Sequence, residues 1–239
     1  MRLNQYISSS GLCSRRVADQ WIKEGKVKVN GEIAVLGTQV NEGDQVEVNG
    51  QLITPKQKKV YLAFNKPVGI TTTTDQSIQG NIVDYINYKE RVFPIGRLDK
   101  DSSGLILLTN DGSIVNELLD EANQLEKDYI VTVNKNIKAA FLEKMENGVE
   151  IYNPVRNEYV ITKPAKIEKI NNRTFKITLT QGLNRQIRRM CSKLDYRVRT
   201  LKRIRFVNIH LADLKVGAWR YLSENELNQL FSKINRKLD

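Results

Sequence analysis

Four consecutive apolar residues, Leu105-Ile106-Leu107-Leu108, are fenced by Ser102-Ser103-Gly104 on one side and Asn110-Asp111-Gly112 on the other. A run this short between turn formers has no room for a helix and leaves no face for solvent. It therefore predicts a strand buried in a sheet over residues 105–109. The residues leading into it, FPIGRLDKDSSG, place Asp99 and Asp101 in a flexible loop at the mouth of that sheet. The rest of the chain is strongly basic: 38 Lys and Arg against 27 Asp and Glu give a net charge of +11 over 239 residues. Carboxylates held among cations suit a nucleophile or an acid/base, or else they shape a tight loop. An i,i+2 spacing in a loop does not choose between these roles, nor between the two acids.

The positive charge is not evenly spread. Residues 181–210 carry nine cations against the single anion Asp195, where a merely solvated face would interleave the signs. A polyanionic partner is expected, nucleic acid before membrane. The start, MRLNQYISSSG, has no apolar signal-peptide core, and no later segment reaches membrane-spanning length, so a cytoplasmic protein is expected. Cys13 and Cys191 are far apart, which signals neither a disulfide framework nor a zinc site. No phosphate-binding loop or dinucleotide fingerprint occurs, and the one histidine, His210, cannot supply both a metal site and a base. The spacing of Asp99, Asp101 and Ser103 imitates a calcium loop, but its twelfth position is Asn110 rather than Glu. No metal and no small-molecule cofactor are expected.

Two domains fit this length best. Within residues 1–52 a short helix over 3–9 precedes a second from Ser14, a good N-cap, to Gly25, with Val17, Ala18, Trp21 and Ile22 on its apolar face. Val27-Lys28-Val29-Asn30-Gly31 and Val46-Glu47-Val48-Asn49-Gly50 each alternate and end in Asn-Gly, a strong hairpin signal. Residues 53–59, with Pro55 and three lysines, read as a linker. From 60 to 239, strands are expected at 60–65, 70–74, 105–109, 129–133, 159–170 and 173–180, and helices at 81–87, 113–119, 138–147, 184–194 and 223–235. The fold class is α+β: a small N-terminal domain followed by a mixed, largely antiparallel sheet with flanking helices.

In GLNRQIRRMC, a helix over 184–194 puts Arg185, Arg188 and Arg189 on one face and Ile187, Met190, Cys191 and Leu194 on the other. Alternation over the next strand places Leu201 among Arg197, Arg199, Arg203 and Arg205. Leu201 then either contacts a base or is returned to the core by a bulge. Tyr129, in EKDYIVTV, shares a strand face with Val131 and Val133 and reads equally as a sheet tyrosine or as a stacking platform.

These motifs together resemble the RsuA/RluB/RluE/RluF family of RNA pseudouridine synthases. GRLDKDSSGLILLTNDG is similar to the family's nucleophile motif, and FPIGRLDKD, GLNRQIRRMC and GAWR look most like the RluF branch, which acts on large-subunit ribosomal RNA. The resemblance implies that Asp99 is the nucleophile and that Arg97 lies in the RNA-facing part of its loop, and it assigns no chemical role to Asp101. It implies that Tyr129, with Lys127 in the Lys-x-Tyr wording, packs against the target base. Arg188 would pair with the aspartate, Leu201 would line the uracil pocket, and Asn65-Lys66-Pro67-Val68-Gly69 would be scaffold. The N-terminal wording resembles the RNA-binding domain of ribosomal protein S-four, implicating Arg2, Arg15, Arg16, Lys26 and Lys28 at RNA phosphates. Arg185 and Arg189 are expected to join them from the second domain.

The expected reaction breaks the bond from ribose C1′ to uracil N1 and joins C1′ to C5, on a base flipped from its stack. Whether the aspartate attacks C1′, attacks C6 or removes a ribose proton stays open. The expected partner is ribosomal RNA, with tRNA or small-subunit ribosomal RNA as the alternative substrate, and the enzyme is expected to be a monomer. A non-catalytic RNA- or ribosome-binding protein is the competing class, but a mere platform needs no Asp99, Tyr129, Arg188 and Leu201 together.

Overall fold

The computed structural model describes residues 1–55 and 58–236. Residues 56 and 57 of the expected linker, and 237–239, lie outside the described residues. The chain divides into two compact units: Met1–Val60 with Tyr88–Val92 and Thr109–Gly112, and the remainder.

The first unit opens with α1 (Leu3–Ser9) and α2 (Arg15–Lys23). Ser14 caps α2, its hydroxyl accepting from the Val17 amide at 3.2 Å. Ala18 and Ile22 are buried, whereas Val17 is 41% exposed, so the apolar face is narrower than its sequence pattern suggests. Four short strands follow, β1 (Val27–Val29), β2 (Glu32–Ile33), β3 (Val46–Val48) and β4 (Gln51–Ile53), in the order β2-β1-β3-β4. Both Asn-Gly pairs turn as expected: Asn30 and Gly31 have φ of 52° and 85°, and Asn49 and Gly50 have 50° and 77°. Two successive positive φ values match the twist of the strands they join.

The second unit runs β5 (Tyr61–Lys66), α3 (Ile82–Ile86), β6 (Phe93–Ile95), β7 (Ser103–Thr109), α4 (Val115–Leu119), β8 (Lys127–Val133) and α5 (Ala139–Asn147). It continues with β9 (Glu150–Asn153), β10 (Glu158–Ile161), β11 (Lys166–Lys169), β12 (Thr174–Leu179), α6 (Gln186–Lys193), β13 (Val198–Phe206), β14 (Ile209–His210), β15 (Trp219–Tyr221) and α7 (Glu224–Ser232). The main sheet has the order β11-β12-β8-β13-β7-β5-β15, with β14 beside β13 and β6 beside β7. β13 meets β7 in parallel and β8 antiparallel, so the sheet is mixed, as expected. β7 is buried from Gly104 to Thr109, as its fenced apolar run demands.

Two cores cover the sheet. Tyr61, Leu105, Leu107, Phe206 and Phe231 pack with α4 and α7, and Val131, Phe141, Phe175, Met190 and Leu201 pack with α5 and α6. Ser223 and Glu226 close a reciprocal capping box on α7. No helix among the described residues is long and apolar enough to cross a membrane.

Three expected elements differ. Residues 70–74 form no strand and contribute one isolated bridge, Thr71 to Asn81, while the Thr72 side chain bonds the Leu98 carbonyl. The strand expected over 159–170 is broken between β10 and β11, which belong to different sheets, where Pro164 removes an amide donor. The helix expected from 184 begins at Gln186, and Arg185 sits at its N-cap in the left-handed region, φ 51° and ψ 33°. Arg185, Arg188 and Arg189 therefore do not share a helix face. A side chain in that conformation stores about 1–3 kcal/mol of strain, which its contacts must offset.

Candidate active site

The loop from Leu98 to Ser102 is built before it is charged. Ser102 donates its amide to the Asp99 carbonyl at 3.0 Å, tightening the turn. The Thr72 hydroxyl donates to the Leu98 carbonyl at 2.7 Å, and the Gly69 amide donates to the Lys100 carbonyl at 2.8 Å. Beneath lies the fully buried Lys66, whose ammonium donates to the carbonyls of Pro67 and Ile70 at 2.9 and 2.8 Å. Burial pushes its pKa down to about 8, opposed by the charges of Asp99 and Asp101. The segment expected as scaffold thus also holds a cation under two carboxylates. Neither Lys66 nor Thr72 stands out in sequence as a site residue.

The two acids are treated differently by the two arginines that face them. Arg185 donates from both guanidinium arms to the two carboxylate oxygens of Asp101, each at 2.9 Å. Its Nη1 lies 3.5 Å from Asp99 Oδ2. Arg188 donates to the Asp101 carbonyl at 2.8 Å and to the Ser102 hydroxyl at 3.1 Å. Its Nε stands 3.4 Å from Asp101 Oδ2 and 3.9 Å from Asp99 Oδ2. That Nε is buried and makes no hydrogen bond. The expected Arg188–Asp99 pair is therefore a loose ionic contact, and Asp101 holds the shorter bonds. Hydrogen bonds from Arg185, with the charges of both arginines, hold the Asp101 carboxyl below its ordinary value against the effect of burial. The same contact raises Arg185.

Asp99 faces a cavity of about 100 Å³ whose lining includes Arg97, Leu98, Ser102, Tyr129, Leu183, Arg185, Ile187 and Leu201. Five segments meet there: the acidic loop, β8, the end of β12, the turn into α6 with the start of that helix, and β13. Leu201 is buried, and the pairing of β13 with β8 shifts register between Val198 and Thr200, so a bulge turns it inward beside Tyr129. Leu201 is thus returned to the core, and it also lines the cavity. Arg185 additionally borders a wider groove of about 570 Å³ with Asp101, Asn134, Arg188, Ser192 and Arg197.

Other expected site residues lie elsewhere. Lys127 does not line the cavity: it is buried, its Nζ donating to the Thr180 carbonyl at 3.5 Å, and burial pushes it down to about 8. Arg189 bonds back to Asn184, to the carbonyl at 3.0 Å and the side-chain oxygen at 3.1 Å. The arginine face expected on β13 is divided. Arg203 is buried and donates to the Leu105 carbonyl at 2.6 Å, and Arg205 grips Asp128 at 2.7 and 2.8 Å and Glu126 at 2.9 Å. Arg197, Arg199 and Lys202 are exposed. In the first unit Arg2, Arg15, Arg16, Lys26 and Lys28 are all exposed, with Lys26 2.6 Å from Glu24. Cys191 is buried, which pushes its thiol up to about 12.

The cavity thus brings together a half-buried carboxylate, a phenol and an aliphatic wall. The RNA pseudouridylate synthase family profile matches residues 60–193, and the S4 domain profile matches residues 1–46. The chain is 51% identical over 236 residues to the dual-specificity RNA pseudouridine synthase RluF of Escherichia coli strain K12, covering 98% of this chain and 79% of that protein. It is 37% identical to the ribosomal large subunit pseudouridine synthase B of Bacillus subtilis strain 168, over 96% of this chain and 95% of that one. A crystal structure of a pseudouridylate synthase superposes with a TM-score of 0.70 at 29% identity, covering 96% of this chain and 99% of the other.

Proposed function

Because the chain belongs to the RNA pseudouridylate synthase family, we propose that it converts a specific uridine of large-subunit ribosomal RNA to pseudouridine, with Asp99 as nucleophile. Residues 1–52 act as the RNA-binding domain and residues 60–239 as the catalytic domain. The assignment is carried by one observation: Asp99, Tyr129 and Leu201 line a single small cavity. The target base leaves its stack and enters this cavity, packed between the Tyr129 ring and Leu201. Unstacking costs a few kcal/mol, roughly, which stacking on the phenol and phosphate contacts from the S4 domain offset. Arg97 guides the backbone at the loop, and Arg188 keeps a positive charge beside Asp99. The carboxylate then acts on the uridine, the C1′–N1 bond breaks, the base turns within the cavity, C1′ joins C5, C5 gives up its hydrogen as a proton, and N1 takes up a proton. No redox or phosphoryl step is needed, since the reaction is an isomerisation.

Large-subunit ribosomal RNA is favoured because the Bacillus relative is named for that subunit. A second RNA substrate is favoured by the Escherichia relative, whose name states dual specificity. The test is a carbodiimide-based primer-extension map of ribosomal RNA and tRNA from cells lacking the gene, complemented with wild type, Asp99→Asn or Asp99→Ala. Wild type should restore the stop in ribosomal RNA. Both variants should leave it absent while RNA affinity stays within a few-fold, and a stop restored by either variant refutes the nucleophile.

A further inference from the structure

Asp101 is the acid left without a task by the chemistry above, yet it has the better contacts. It takes both arms of Arg185 at 2.9 Å, and its carboxylate stands closer than that of Asp99 to Arg188 Nε, 3.4 Å against 3.9 Å. Among the described residues, the Asp99 carboxylate accepts no hydrogen bond, and the guanidinium groups of Arg185 at 3.5 Å and Arg188 at 3.9 Å are its ion pairs. The arrangement is held from several sides. Arg188 is anchored through the Asp101 carbonyl and the Ser102 hydroxyl, and Arg185 adopts a left-handed backbone that swings its side chain out of the helix and across to the loop. Arg185 also borders both the small cavity and the wider groove, so its position shapes the wall between them.

We infer that Asp101 is a positioning residue whose carboxylate holds the guanidinium hydrogen bonds of Arg185 off Asp99, leaving the Asp99 carboxylate nearby positive charge but unoccupied lone pairs. The distinction matters chemically. A carboxylate that accepts two charge-assisted hydrogen bonds has its lone pairs engaged and its charge stabilised, which weakens it as a nucleophile. Cations at ionic distance leave its lone pairs free. With a neutral residue at 101, Arg185 loses its bidentate partner, and the nearest carboxylate is Asp99. The inference rests on Asp99 being the nucleophile.

The experiment uses the full chain and RNA labelled with [5-³H]uridine in cells lacking the gene, since joining C1′ to C5 releases the C5 hydrogen. Tritium release by wild type from the ribosomal or the non-ribosomal fraction identifies the substrate class and leaves the question about Asp101 intact. Asp101→Asn should slow single-turnover release by about ten-fold or more while RNA affinity holds or tightens, because a negative charge has left an anion-binding site. Asp101→Glu should recover to within about three-fold of wild type, and Asp101→Asn/Arg185→Gln should be no slower than Arg185→Gln alone. An unchanged rate in Asp101→Asn, a loss confined to affinity, or losses that multiply in the double variant would each overturn the inference. Should Asp101→Asn not fold, Arg185→Lys carries the test. An ammonium cannot bridge both oxygens as a guanidinium does, so the same split between rate and affinity is expected, and an unchanged rate overturns the inference.

Discussion

A Cβ placed on Gly104 would stand 2.2 Å from the carbonyl oxygen of Arg203, its partner across the parallel junction of β7 and β13. Gly104 also has a φ of 101°, which side chains rarely adopt. Gly104→Ala should therefore destabilise the catalytic unit by about 3 kcal/mol or more, with both the clash and the backbone opposing it. Thermal or urea unfolding checks this, and a wild-type midpoint would contradict the close approach of the two strands.

Asp128 should make stability depend on pH in a defined window. Burial opposes its ionised form, but hydrogen bonds from Arg205 and Thr178, with the charges of Arg205 and Lys176, prevail and lower its pKa from 3.8. A carboxyl lowered on folding contributes stability that is fully present above its ordinary value and lost as pH falls through the folded value. Asp128→Asn should cost about 3 kcal/mol at pH 7, because Arg205 loses a buried partner. The gap between wild type and variant should hold at pH 5 and close as pH falls below 3.8. Urea titrations at several pH values measure it.

Arg15 and Arg16 are exposed on α2 of the S4 domain. Replacing both with alanine should make the salt dependence of RNA binding shallower by about two, one per lost phosphate contact, without moving the melting temperature. Arg189→Ala should change the slope less, since its guanidinium is committed to Asn184. Filter binding across a salt series separates the two variants.

The Cys191 thiol, buried and pushed up to about 12, should resist alkylation in the native state at pH 8. Iodoacetamide labelling followed by mass spectrometry should find it unmodified until denaturant is added. Fast native labelling would place the residue at the surface.

The parts of the fold written in local chemistry were legible. Asn30-Gly31 and Asn49-Gly50 can hardly do anything but turn, and the fenced run at β7 had to be buried. The meeting of Asp99, Tyr129 and Leu201 came from the wording of separate motifs, since no periodicity links three segments so far apart. What stayed hidden depended on backbone departures from regular geometry. Helical spacing put Arg185, Arg188 and Arg189 on one face, but Arg185 is a left-handed N-cap with its own partner, and nothing in GLNRQ announces it. Two register shifts in β13, one before Leu201 and one between Arg203 and Arg205, likewise break the alternation that put Leu201 with Arg197, Arg199 and Arg205. Lys127 shares the strand and the parity of Tyr129 but turns its ammonium toward Thr180, a contact only the β12 neighbour could supply.

β13 lies between β7 and β8 although it follows both in the chain by many residues. During synthesis the acidic loop and the Tyr129 strand therefore emerge with a gap between them, each presenting an unpaired edge. That gap fills only when residues 198–206 arrive, and Leu201, one wall of the cavity, arrives with them. Such distant pairing is intrinsically slow to form. A nascent or truncated chain ending before β13 thus has the acid and the phenol but lacks the cavity wall that Leu201 supplies.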